Sequence, residues 1–163
     1  MNDKHEIQDV LSRYVRATDE RDPEALAALF AEDGVFQFFG RSGTEKYQSS
    51  GKPIVGPEAI KEFVEGWHPL PERAYLHHLT TDHVIEVAGD QATMNAQWIV
   101  MSTVAEPEPE GGWSKGHAGV HGSVAPTMIG FYDAILRRID GVWKLTRFDV
   151  LHSLPLVIPT ADR

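Results

Sequence analysis

A chain of 163 residues has the length of one domain with a single core. Its 24 acidic and 15 basic side chains give a formal charge of −9, a surface that repels phosphate backbones and anionic lipid, so no nucleic acid or membrane partner is expected. The absence of cysteine excludes disulfides, thiol catalysis and thiolate metal sites, and 42% hydrophobic against 24% charged residues is globular composition, not that of a disordered chain.

The start, Met1 to Glu6, is polar and carries no signal-peptide core, and no apolar run reaches the roughly 18 residues of a spanning helix. A cytoplasmic protein is the expectation. Ile7, Val10, Leu11, Tyr14 and Val15 then recur at helical spacing between charges, which predicts an amphipathic helix ending around Asp19-Glu20-Arg21. Asp22 as N-cap and Pro23 at the first helical position predict a second helix, with Leu26, Leu29 and Phe30 as its buried stripe and Asp33-Gly34 as its stop. Val35 to Phe39 reads as a short strand and Gly40 to Pro53 as a loop. Gly56-Pro57 opens a third helix with Ile60, Phe63, Val64 and Trp67 on one side, and Pro69 and Pro71 end it.

From Tyr75 the character changes. Four β-rich runs follow, Tyr75 to Val87, Ala92 to Val104, Thr127 to Ile139 and Val142 to Leu154, with turns at Ala88-Gly89-Asp90 and Asp140-Gly141. Helices first and an antiparallel meander afterwards predict a single α+β domain. Between the second and third runs, a Glu/Pro segment at 106–110 leads into a Gly/His-rich stretch, which predicts a mobile insertion over about 106–125 near the mouth of a pocket. His117 and His121 in that stretch have metal-like spacing, but their glycine neighbours make a solvated loop the better reading. By alternation Trp143 and Leu145 point one way and Phe148 and Val150 the other. A sheet apolar on both faces calls for a second subunit, so a homodimer is expected, with a trimer as second choice.

The order helix, helix, strand, helix, meander resembles the nuclear transport factor two-like fold. The local text resembles its SnoaL-like branch: Arg13 to Asp19 with Arg21-Asp22, Leu29 to Gly34, Gly56 to Ile60, His77-His78-Leu79, Gly89 to Ala92, and Tyr132-Asp133 to Leu145. The resemblance implies a cone-shaped α+β barrel, three N-terminal helices packed in a curved, mostly antiparallel sheet with a deep pocket at its open end. Members include dehydratases, polyketide cyclases, isomerases, dioxygenase small subunits and proteins that only bind, so fold alone does not fix the activity.

The same resemblance, to the bile-acid dehydratase and scytalone dehydratase-like relatives, marks Tyr14, Asp19 and His78 as the catalytic constellation. The bile-acid-type relatives add an arginine in the last strand, whose counterpart here is His152, with Arg147 nearby; the second histidine of scytalone dehydratase-like relatives has no counterpart in Val100-Met101-Ser102. Trp67, Trp98, Tyr132 and Arg147 are the expected substrate-binding residues. The chemistry is coherent: a histidine titrating near neutrality takes a proton, a carboxylate fixes its tautomer, and a tyrosine hydroxyl donates to a substrate oxygen. It requires neither metal nor organic cofactor. Each residue also has a plainer reading. Tyr14 fits a core position, Asp19 fits a helix cap, and a register slip of one would put His77 in the place of His78. The expected partner is a bulky hydrophobic hydroxylated small molecule, and the expected activity is that of a lyase, dehydratase or isomerase. A polyketide cyclase-like aldol enzyme and a non-catalytic binding or assembly subunit are the alternatives.

Overall fold

The computed structural model describes residues 2–157. Helix α1 spans Asp3–Glu20, started by the Asn2 side chain accepting from the Lys4 N–H and ended at Arg21, whose φ of 54° turns the chain left-handed. Helix α2, Pro23–Ala27, is capped by Asp22 accepting from the Ala25 N–H, and α3 spans Pro57–Glu65. Seven strands form one sheet: β1 Phe30–Gly40, β2 Gln48–Ser49, β3 Ile54–Val55, β4 Ala74–Ala88, β5 Gln91–Ala105, β6 Gly122–Ile139 and β7 Val142–His152. Their order is β2-β1-β7-β6-β5-β4, with β3 also on β1, and the sheet curves around the helices without closing. The β1–β7 pair is parallel and the other pairs are antiparallel. The α+β class and the helix-lined concave sheet are as expected.

Three boundaries differ from the sequence reading. The second helix stops at Ala27, and Phe30 already lies in β1 opposite Leu145. Pairing captures the segment early: the Leu145 N–H donates to the Leu29 carbonyl, and Gly34 sits so close that a Cβ there would lie 2.8 Å from the carbonyls of Ala31 and Leu145. The Gly40–Pro53 loop contains the short strand β2, paired with the end of β1. Strand β6 begins at Gly122, because Ser123, Val124 and Ala125 pair with β5, so the expected insertion loses its last residues to the sheet.

The fourth difference concerns direction. Trp143, Leu145, Phe148 and Val150 all lie in one buried core. The register steps from Leu136↔Leu145 to Ile135↔Arg147, which leaves Thr146 as an extra residue in β7. This β-bulge returns Phe148, Val150 and His152 to the concave face, so the last strand is not apolar on both sides. The core they join is aromatic: Tyr14 lies 4.4 Å from Phe148 and 5.5 Å from Tyr132, centroid to centroid. A second irregularity, at Asp82-His83 between Thr81↔Gln97 and Val84↔Asn95, bends β4.

Candidate active site

Helix α1 crosses the concave face and ends above β4, which carries Asp19 to the inner side of the sheet. Asp19 is 7% exposed. Its Oδ1 lies 2.6 Å from Nδ1 of His78, and the same carboxylate accepts the His78 backbone N–H at 3.1 and 3.2 Å from its two oxygens. A carboxylate can pair with Nδ1 only through a proton, so this contact fixes the tautomer and leaves Nε2 of His78 as the free ring nitrogen. The three contacts hold one acid on one strand residue at two points, which sets both backbone and ring. His77 faces the other way, exposed, with its ring against Tyr75 at 4.7 Å. The register is thus the one that makes His78 the inward histidine.

These two residues line a cavity of about 520 Å³, enclosed by α1, α3, the segment after α3, and β4 to β7. Tyr14 is at its wall, one helical turn before Thr18 and Asp19. Burial pushes the Tyr14 phenol well above its ordinary value, with the Asp19 charge adding to the rise and hydrogen bonds with Thr18 and Tyr132 opposing it. It therefore stays protonated and able to donate. His152, 9% exposed, stands on β7 with its ring edge-on to Trp98 at 4.9 Å and stacked on Phe38 at 6.5 Å. Burial, with the neighbouring His78, lowers its pKa from 6.5 to about 4. It is thus a neutral imidazole at ordinary pH and not the last-strand cation that the arginine of bile-acid-type relatives suggests.

Trp67, Trp98 and Tyr132 line the same cavity. Arg147 does not. The bulge at Thr146 leaves it on the outer face, where its Nε donates to Asp149 at 2.9 Å and its Nη2 to Gln37 at 3.5 Å. No residue of 106–125 lines the cavity either. Its mouth is built by residues the sequence reading passed over. Arg21 donates to the His68 carbonyl and stacks over Trp67 at 5.9 Å, and Leu70, Leu156 and Val157 complete the rim. The aromatic wall also takes Phe38 and Phe63, 5.5 Å apart. Their alternation in β1 and helical spacing in α3 mark them as buried but do not say that a void lies between them.

A larger open groove of about 1050 Å³ runs along the outer side of α1, lined by its charged face and by the β6–β7 turn. The smaller cavity is the better site, because it combines an apolar interior with buried titratable groups in contact. Among the described residues no three His, Asp or Glu side chains converge as metal ligands would.

The SnoaL-like domain family model matches residues 1–149. No curated protein matches. Solved structures resemble the chain over nearly its whole length. A Mycobacterium tuberculosis protein of unknown function is 26% identical with a TM-score of 0.64, covering 92% of this chain and 71% of its own. A nuclear transport factor two-like protein with a cystatin-like fold from Novosphingobium aromaticivorans is 20% identical with a TM-score of 0.63, covering 92% and 81%. A Catenulispora acidiphila protein in complex with S-DNPA is 23% identical with a TM-score of 0.58, covering 91% and 92%.

Proposed function

We propose that this chain, which belongs to the SnoaL-like domain family, is a cofactor-independent lyase or isomerase acting on a bulky hydrophobic hydroxylated small molecule. The observation that carries the reading is the pairing of the buried Asp19 with the part-buried His78, with 2.6 Å between Oδ1 and Nδ1, facing an aromatic-walled cavity. A structural histidine needs no orienting carboxylate, and an isolated buried carboxylate is costly. Together they form a base whose proton-accepting nitrogen is aimed by its partner. The coarser statement, that a fold of this kind holds a small molecule, is supported by the S-DNPA complex of the Catenulispora acidiphila protein.

In the proposed reaction Nε2 of His78 removes the proton on the carbon beside a carbonyl. Asp19 stabilises the imidazolium that forms. Tyr14, kept protonated by burial, donates to the oxygen on which charge develops. The electron pair then forms the carbon–carbon double bond as the C–O bond to the hydroxyl breaks, and the imidazolium proton leaves with that hydroxyl as water. An aldol closure would use the same pair and the same first step.

The test is dehydration of a panel of β-hydroxy ketones on aromatic and polycyclic frames, followed by the absorbance of the conjugated product. His78→Ala and Asp19→Asn should each lower turnover by roughly 10²–10⁴-fold, the scale of positioned acid–base catalysis. Asp19→Asn should leave the thermal melt close to that of the wild type, because Asn still accepts from the His78 backbone N–H. Full turnover in both variants on a processed substrate would replace the enzyme reading with that of a binding subunit.

A further inference from the structure

His152 is a buried polar side chain at the cavity that the proposed reaction leaves without a partner. It is 9% exposed, and its ring makes no hydrogen bond among the described residues. Its nitrogens are nonetheless absent from the fully enclosed unpaired atoms, so they open onto the cavity that the residue lines. A nine-tenths buried imidazole facing a void without a partner costs free energy unless something fills the void and bonds to it.

The sheet explains how the ring is held there. Trp98, Gly130 and His152 lie side by side on β5, β6 and β7. A Cβ on Gly130 would stand 2.7 Å from Cζ2 of Trp98 and 1.9 Å from the Leu151 carbonyl, so the bare glycine is what lets the two rings meet across the strand between them. Phe38 stacks on the other side. The imidazole is clamped by apolar rings and offers one N–H donor and one ring-nitrogen acceptor. A hydroxyl matches either tautomer. A carbonyl matches the donor. A carboxylate matches the donor as well, but it would bring a second negative charge into the cavity that holds Asp19.

His78 on β4 and His152 on β7 both stand against Trp98, with ring centroids 6.4 and 4.9 Å from its own. We infer that His152 reads a second oxygen on the ligand, a hydroxyl or carbonyl at the far end of a ring system whose near oxygen meets His78 and Tyr14. The substrate class is a dioxygenated bicyclic or polycyclic compound. This rests on the proposed function for the near end and adds a specificity-determining contact at the far end.

Calorimetric titration with 2-naphthol and with 2,6-dihydroxynaphthalene tests it. The wild type should bind the diol about tenfold more tightly than the naphthol, the worth of one additional neutral hydrogen bond. His152→Phe, which keeps a ring beside Phe38 but has no donor or acceptor, should bind both equally. His152→Gln, which retains a donor and an acceptor, should keep most of the preference. Asp19→Asn should shift both affinities together and leave the preference intact. Equal binding of the two probes by the wild type, or an undiminished preference in His152→Phe, overturns the inference while leaving the proposed function standing. If neither probe binds the wild type, the proposed function falls and this inference with it.

Discussion

At the scale of single residues, burial decides what each polar group can do. Asp19 is buried but bonded to the part-buried His78, whereas His152 is buried alone and responds by staying unprotonated. That response has a measurable consequence. Its folded pKa of about 4 lies below its ordinary 6.5. Above 6.5 both folded and unfolded forms are neutral and the group has no effect. As pH falls from 6.5 the unfolded chain takes up a proton that the folded chain refuses, so stability declines until about pH 4 and then levels. The full loss is on the order of 3–4 kcal/mol, at about 1.4 kcal/mol per pH unit. His152→Phe should therefore gain melting temperature relative to the wild type as pH is lowered from 7.5 to 4.5. A difference that stays constant over that range would show that His152 titrates as if exposed. Part of this chemistry was legible in the sequence. The resemblance to the bile-acid dehydratase-like relatives pointed to Tyr14, Asp19 and His78, but the protonation of His152 was not legible, because it depends on the burial that Trp98 and Phe38, distant in the chain, impose on it.

At the scale of elements, the sheet owes its site to irregular positions. Gly130 is one. Its Cβ would overlap the Leu151 carbonyl at 1.9 Å, and a backbone atom cannot swing away as a flexible side chain can. Gly130→Ala should push β6 from β7, cost roughly 1–3 kcal/mol in denaturant melts, and separate the Trp98 and His152 rings. An alanine variant with an unchanged denaturation midpoint would mean that the two strands have slack there. Irregularities also mark where sequence reading stops. Alternation identified Trp143, Leu145, Phe148 and Val150 as apolar but assigned them to two faces, since the period of two assumes an unbroken ladder. Thr146, whose hydroxyl donates to the Ile135 carbonyl at 3.1 Å, is an ordinary residue with nothing in its type to announce a bulge. The short α2 was hidden for a similar reason: Leu26, Leu29 and Phe30 suit a helix, and the partner that pulls Phe30 into a strand lies more than a hundred residues away.

At the scale of the molecule, the element order made the α+β class and the helix-lined curved sheet readable, because few architectures accommodate helices first and a meander after. The assembly rests on a different footing. The two-sided pattern of β7 that motivated a dimer is removed by the bulge, but the outer face has apolar groups of its own. Leu79, Ile99 and Ile129 are in register on β4, β5 and β6, and Leu79 is 54% and Ile129 49% exposed. We expect this face to pair two copies in solution, at micromolar concentration, burying upwards of about 1,000 Å². Light scattering should give twice the chain mass for the wild type and the chain mass for Ile129→Glu. A monomeric wild type would leave the outer face as plain surface. The bulge at Thr146 also settles a question of parity. Were the ladder to run unbroken with every residue kept, each position after Leu145 would exchange inside for outside: Arg147, Asp149 and Leu151 would turn toward the helices, and Phe148, Val150 and His152 toward solvent. A chain lacking Thr146 would need no bulge, because Phe148 would then follow Leu145 by two positions and keep its inward face on a regular ladder. In this strand an odd residue is set aside so that the even ones before and after it can agree on which side is in.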